Sequence, residues 1–251
     1  MNAPALIALG GNVGDVRATF ETALQDLDDT PGVTLTAASR PYRTPAVGAD
    51  AGGEFLNAAA TLETTLSPHG LLDVLKQVEA NAGRERTVHW GPRSLDLDLI
   101  LYGEERIEDD RLTVPHPGLA WRRFVLDPAC EVAGDWRTRR VPLRSLRERL
   151  LDRPLRVGAG RDPAASFSRL VEVLAAEFPV AFDPPDPPGE RSQRLPAALS
   201  LVPEGEKPGV NQVVLPSGGE VALARLRDVF AAALPDPEPQ PFGDPLWSSD
   251  E

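Results

Sequence analysis

The stretch His89-Trp90-Gly91-Pro92-Arg93-Ser94-Leu95-Asp96-Leu97-Asp98-Leu99-Ile100 carries two patterns at once. Leu95, Leu97, Leu99 and Leu101 alternate with Asp96 and Asp98, which is the period of a β-strand. The spacing predicts the four leucines on one face and both aspartates on the other. Two same-face carboxylates in an apolar strand are costly unless they meet something cationic. Mg²⁺ suits such a pair, because it takes one or two carboxylates and leaves its other positions to water and phosphate oxygens. An isolated Asp-x-Asp is ordinarily a solvated pair on a half-exposed edge strand. Here Arg84, Arg86, His89 and Arg93 crowd the residues just before it, and Trp90-Gly91-Pro92 marks a loop entering the strand. Cations for phosphate oxygens beside acids for a metal point to phosphoryl chemistry.

Working back toward the N-terminus, the periodicity predicts a strand at Ala5–Leu9 and a helix at Asp15–Leu27 with Phe20, Leu24 and Leu27 on one face. Strands are expected at Val33–Tyr42 and Asn57–Thr64. Ser67-Pro68 reads as a helix start, Ser as N-cap and Pro in the first turn, and that helix runs on to Gly83. The order β-α-β-β-α-β fits an α+β fold, a ferredoxin-like α/β sandwich with a mostly antiparallel sheet.

The chain has 251 residues and a net charge of −12, which argues against nucleic acid as a main partner. A single cysteine, Cys130, excludes an internal disulfide and fits a reducing compartment. The N-terminus lacks a basic segment followed by an apolar one, and no apolar run approaches the ~20 residues of a membrane span. These features predict a cytoplasmic protein. Residues 1–160 carry a net charge of −4 and residues 161–251 a net of −8, and 15 of the 26 prolines lie in the second part. Both shifts predict a boundary near residue 160, with an acidic, Pro-rich extension behind it. Within the extension, Ser168–Phe178 and Glu220–Leu234 have helical spacing, and Ala198–Val202 and Asn211–Leu215 read as short strands. Asp183–Gly189 reads as an extended linker, and residues 235–251 as a disordered tail. A small unit over about 165–234, marginal in size for stability alone, is the expectation. It has no His, no Cys and no Gly-rich phosphate loop, so no chemistry is expected there, and truncation after Gly160 is expected to leave a folded enzyme.

Other candidates read two ways. Gly10-Gly11-Asn12 follows a strand and precedes a helix, so its amides could cradle a ligand or form an ordinary tight turn. It has neither a P-loop lysine nor the G-x-G-x-x-G of dinucleotide folds. Glu79 falls on the polar side of its helix, where a solvated residue is usual. Arg84 and Arg86 could offset a helix dipole, His116 sits between two prolines, and Phe55 and Phe124 suit a core.

The run from His89 to Ile100 resembles the signature of the 6-hydroxymethyl-7,8-dihydropterin pyrophosphokinase family of folate biosynthesis. The family pattern is a basic residue, a spacer, Gly-Pro-Arg, two residues, then Asp-aliphatic-Asp and two aliphatics, and every position is met. Ala8-Leu9-Gly10-Gly11-Asn12, Tyr42–Gly48, Glu54–Ala59, Leu112–Pro117 and Arg122–Leu126 resemble further family segments, in order. The resemblance covers roughly residues 3–158. It implies a Mg²⁺-dependent transfer of pyrophosphate from ATP to the pterin alcohol. Asp96 and Asp98 would bridge two Mg²⁺ ions, with Arg84, Arg86 and Arg93 as further catalytic groups. Gln77, Glu79, His89, Ile100, His116 and Arg122 would join Arg86 and Arg93 in the ATP site. The pterin would stack between Phe55 and Phe124, with Asn57, Thr44, Pro45, Val47 and Trp90 around it. ATP and the pterin alcohol are the implied partners, with other folate-pathway enzymes beside them. The sequence departs from common members at Ala46-Val47, where Pro-Leu is frequent, and at His89, where arginine is frequent. Two other classes use similar residues: a Mg²⁺-dependent nucleotidyltransferase or phosphohydrolase, and a non-catalytic binding module.

Overall fold

A computed structural model describes residues 2–45, 53–83, 93–158, 170, 172–183, 198–203, 212–216, 219–235 and 238–239. Strand β1 (Ala3–Gly11) leads into helix α1 (Val16–Asp28), whose N-cap Asp15 accepts a hydrogen bond from the Ala18 amide. Strands β2 (Val33–Ala38), β3 (Tyr42–Thr44) and β4 (Phe55–Thr64) follow. Helix α2 (Pro68–Asn81) starts as its sequence predicts, with the Ser67 side chain accepting from the Gly70 amide. Strand β5 (Asp96–Tyr102) carries the aspartates.

These strands form an antiparallel sheet in which β1 pairs with both β4 and β5, and β2 and β3 pair with β4. The single strand expected at Val33–Tyr42 is two. Pro41 has no amide to donate to a ladder, and at the break the Ser39 side chain accepts from the Ala59 amide.

One face of this sheet packs on α1 and α2 through Ile7, Leu9, Phe20, Leu24, Leu75, Leu97 and Leu99. A second apolar cluster lies on the other face, against helix α3 (Arg123–Ala133) and helix α4 (Leu143–Leu151). Leu101 belongs to that second cluster, not to the face of Leu97 and Leu99 as alternation predicts. The cause is a β-bulge. Leu6 pairs with Leu101 and Ile7 with Leu99, so Ile100 is an extra residue and the alternation switches behind it.

Between β5 and α3 lies a short hairpin, β6 (Ile107–Glu108) with β7 (Thr113–Val114), and after α3 a second, β8 (Arg137–Thr138) with β9 (Val141–Pro142). Strand β10 (Leu155–Gly158) then opens a parallel sheet with β11 (Val180–Asp183), β12 (Leu199–Pro203) and β13 (Gln212–Leu215) in the order β11-β10-β12-β13. Residues 172–174 are helical, and helix α5 (Gly219–Ala233) follows β13. The boundary expected near residue 160 therefore separates β10 from its sheet partners. The apolar cluster also runs across it, from Leu146 and Leu155 to Leu199, Leu226 and Phe230. Arg153 ties the two parts further by donating to the Leu234 carbonyl at 2.9 Å. The expected disordered tail contributes a strand, β14 (Glu238–Pro239), which pairs with β3. The linker expected at Asp183–Gly189 begins inside β11; residues 184–189 lie outside the described residues.

Candidate active site

Strand register builds the floor of the site. Asn57 of β4 and Asp96 of β5 both pair with Gly10 of β1, and one step further Ala59 and Asp98 both pair with Ala8. Small residues thus separate Asn57 from the acids. A Cβ on Gly10 would lie 3.4 Å from Asn57 Oδ1 and 3.9 Å from Asp96 Cβ, so glycine keeps a groove open between them. Ala8 and Ala59 are buried, whereas the side chains of Asp96 and Asp98 remain 24% and 41% exposed.

Three contacts hold this acid pair. Glu79 is buried under the strand, and its Oε1 accepts from the Leu97 amide, between the aspartates, at 2.8 Å. It is therefore a strand anchor and not a solvated helix residue. Arg93 donates to Asp96 in a close ion pair. The bulge carbonyl of Ile100 accepts from the His116 amide at 3.0 Å, which sets His116 beside Asp98. Gly10-Gly11-Asn12 acts as a clasp. The amides of Asn12 and Val13 both donate to the Arg93 carbonyl, and Asn12 Oδ1 accepts from the Arg93 amide. The Asn12 amide is thus directed at the Arg93 backbone. A Cβ on Gly11 would come within 2.7 Å of the Ser94 carbonyl oxygen, so only glycine permits that approach.

His116 is largely enclosed. Its Nδ1 accepts from the Gly118 amide at 3.0 Å, so the neutral ring carries its proton on Nε2, 3.9 Å from Asp98 Oδ2. Burial, reinforced by the Arg122 charge, pushes its pKa down to about 3. It is a neutral donor at pH 7. Arg122 is half-buried, and desolvation lowers its pKa while Asp98 opposes the shift. Its guanidinium carbon stands 5.1 Å from the Trp121 ring and 5.7 Å from that of Phe124, and its Nε has no hydrogen-bond partner. A half-buried cation with an unsatisfied, enclosed Nε next to two carboxylates is suited to an anionic ligand.

On the other side of Gly10, Asn57 Nδ2 donates to Thr44 Oγ1 at 2.8 Å, with both residues buried. Phe55 shares Asn57's strand face and Phe124 stands in the first turn of α3, both half-buried. Pro45 is exposed. Gln77 is exposed and donates to Asn81 on its own helix, and so lies apart from the acid pair's contacts. Val47, Arg84, Arg86, His89 and Trp90 lie outside the described residues. Burial raises the Cys130 thiol to about 11, so it is a packed residue and no nucleophile at neutral pH. In the extension, Arg225 of α5 places its guanidinium carbon 5.4 Å from the Trp121 ring. No local pattern marks Arg225, because an arginine on an amphipathic helix is ordinarily solvated.

Among the described residues no group of three or more metal-type side chains gathers. Two carboxylates with an adjacent cation match Mg²⁺ held jointly with phosphate oxygens, and not an all-protein metal cage. A neutral histidine, arginines and an acid pair at one end of an antiparallel sheet are the groups that phosphoryl transfer uses. Comparison with known proteins narrows this class. Residues 6–134 match the family model described as 7,8-dihydro-6-hydroxymethylpterin-pyrophosphokinase (HPPK). A 2-amino-4-hydroxy-6-hydroxymethyldihydropteridine pyrophosphokinase from Methylorubrum extorquens is 44% identical over 131 residues, covering 52% of this chain and 83% of that one. The protein of the same name from Bacillus subtilis is 43% identical over 132 residues, covering 53% and 79%. A solved structure of Plasmodium falciparum HPPK-DHPS aligns at TM-score 0.47 and 12% identity over 58% of this chain and 43% of that chain. The chain belongs to the 7,8-dihydro-6-hydroxymethylpterin-pyrophosphokinase family.

Proposed function

We propose that this chain transfers the terminal diphosphate of ATP to 6-hydroxymethyl-7,8-dihydropterin, releasing AMP. The observation that carries this is the family match combined with an acid pair and an amide, Asn57, held in register on either side of Gly10. The hydroxymethyl oxygen attacks the β-phosphorus. A new O–P bond forms, the bond from the β-phosphorus to the α,β-bridging oxygen breaks, and AMP departs with that oxygen. The hydroxyl proton leaves toward the carboxylates of Asp96 and Asp98. Those carboxylates would hold two Mg²⁺ ions, whose chemistry is to neutralise triphosphate charge. Arg93 and Arg122 supply cations to the phosphates, and His116 presents an Nε2–H donor. Glu79 and the Asn12 clasp keep the acids and Arg93 in position without touching substrate. Arg84, Arg86 and His89, which precede Arg93 in the sequence, are read as phosphate and nucleotide ligands, with Gln77 and Ile100 as further nucleotide residues. Phe55 and Phe124 stack the pterin, where offset stacking adds ~0.5–1.5 kcal/mol. Asn57 bonds its polar edge, with Thr44, Pro45, Val47 and Trp90 around the ring. No protein nucleophile is needed, because positioning and charge neutralisation supply the rate.

The sheet order β2-β4-β1-β5 with helices after β1 and β4 supports the ferredoxin-like reading. Among the described residues no helix is long and apolar enough to cross a membrane, and a cytoplasmic enzyme remains our reading. The shared apolar cluster supports treating the pyrophosphokinase region and the extension as one folding unit. The test is AMP formation from ATP with Mg²⁺, with and without the pterin alcohol. AMP should appear only when the alcohol is present. AMP or ADP at equal rates without it would make the chain a hydrolase or nucleotidyltransferase instead.

A further inference from the structure

One turn of helix α3 carries two of the proposed ligand-binding residues, Arg122 as the N-cap and Phe124 as the second helical residue. The Arg122 guanidinium carbon lies 5.7 Å from the Phe124 ring, so the placement of one bears on the other. The backbone of this turn is weak. Its N-cap makes no side-chain capping hydrogen bond. Pro128, inside the helix, has no amide, so the Phe124 carbonyl four residues earlier lacks the donor that a regular helix would supply.

A buried ion pair spans the gap. Arg123, 2% exposed, stands between the two site residues in the chain, and Asp127, 4% exposed, immediately precedes Pro128. Arg123 Nε donates to Asp127 Oδ1 at 3.0 Å, and its Nη2 donates to Oδ2 at 2.6 Å. The link runs from residue i to i+4, alongside the backbone bond that Pro128 removes. From α4, Arg147 Nε donates to the same carboxylate at 2.6 Å and ties it to the neighbouring helix. Stability alone does not call for such a cluster. Desolvation offsets much of the attraction between buried charges, and apolar side chains of like volume often hold a core as well or better. A two-point guanidinium–carboxylate contact adds direction, because it fixes the orientation of the turn it spans.

We propose that Asp127 is a positioning residue for the reaction: gripped by Arg123 and Arg147, it holds the first turn of α3 so that Phe124 meets the pterin and Arg122 the phosphates. The inference rests on the proposed roles of Arg122 and Phe124. It adds that both depend on a buried charge network, and that Asp127 acts on the substrates only through these two neighbours.

The test uses the full-length chain and calorimetry of the pterin alcohol in the presence of Mg²⁺ and a non-hydrolysable ATP analogue. The paired variant Arg123→Met/Asp127→Leu removes the charges and keeps the core filled, so its thermal midpoint should stay near the wild-type value. Its pterin affinity should fall about three- to tenfold, the size of a misaligned ring stack. In a Phe124→Ala background the same two changes should move pterin affinity less than about 1.5-fold, because the ring they misplace is gone. Leu146→Ala, a core truncation in α4, measures what lost stability alone does and should leave the affinity of the folded protein unchanged. If the paired variant is not folded, Asp127→Asn, close in shape and without the charge, takes its place with the same expected loss. Unchanged affinity, an equal loss with and without the Phe124 ring, or an equal loss in Leu146→Ala overturns the proposal. Unchanged affinity in Phe124→Ala alone removes Phe124 from the pterin site, and the proposal falls with that reading. A loss in Phe124→Ala beside none in the paired variant overturns the proposal and leaves the reading standing.

Discussion

The family-matched region and the extension are built on opposite plans. The first is an antiparallel sheet with helices on both faces, and its central strands are buried along most of their length. The second adds the parallel strands β11, β12 and β13 around β10, and its apolar residues join the cluster under α3 and α4. Antiparallel neighbours are found through local turns, whereas parallel strands need crossover segments. The comparison teaches that chemistry and stability are divided unevenly. The acids, their anchors and the proposed pterin groups all lie before residue 125, but the core beneath them is closed by residues beyond 155.

The strongest way to break this comparison is to remove the extension. Deleting residues 161–251 strips β10 of both sheet neighbours and uncovers Leu146, Leu150, Leu155 and Val157. At roughly 1.5–3 kcal/mol for each buried aliphatic side chain, the loss rivals a domain's whole stability. The truncated chain is expected to be insoluble or to melt more than about 8 °C lower. A soluble fragment with an unchanged midpoint would restore the extension to a mere appendage. Next in size are the acids. Asp96→Ala and Asp98→Ala should each cut turnover by about 100-fold or more at saturating Mg²⁺, from lost electrostatic stabilisation, with circular dichroism unchanged. More than a tenth of wild-type turnover in both variants would remove the acids from the mechanism.

Smaller effects sharpen the picture. Glu79→Ala leaves the buried Leu97 amide without its carboxylate, a cost of about 1–3 kcal/mol. Melting and turnover should fall together, and Glu79→Gln should recover most of both by keeping an acceptor. Phe124→Ala should weaken pterin binding by about 1–3 kcal/mol, from lost burial and stacking. ATP affinity should change less, and calorimetry showing equal losses would make Phe124 a core residue only. The smallest effect concerns pH. His116 has a folded pKa of about 3 against an ordinary 6.5, so between these values the unfolded chain binds the extra proton. Stability contributed by the neutral ring is present above about pH 6.5 and declines as pH falls toward 3. His116→Gln should flatten that part of the melting profile.

Much of the site was readable because its signals are local. Asp15 and Ser67 announce their helices by capping, and Asp96-Leu97-Asp98 announces a strand by alternation. Leu101 was misread because a bulge depends on the partner strand, where Leu6 and Ile7 bracket one residue fewer. Glu79 looked solvated because its helix pattern contains no record of the strand beneath it. Helix α3 was missed because Pro128 interrupts an otherwise helical segment. Arg225 was invisible for a different reason. Its neighbour Trp121 is more than a hundred positions away, and only packing of the extension against the core brings them together.

Phosphorus NMR of the pterin product tests the central claim most directly. Incubation of the full-length chain with ATP, Mg²⁺ and 6-hydroxymethyl-7,8-dihydropterin should give an ester with two coupled phosphorus signals and one AMP for each ester formed. A monophosphate ester with ADP, or AMP with free pyrophosphate and unmodified pterin, would contradict attack at the β-phosphorus and with it the account of the site.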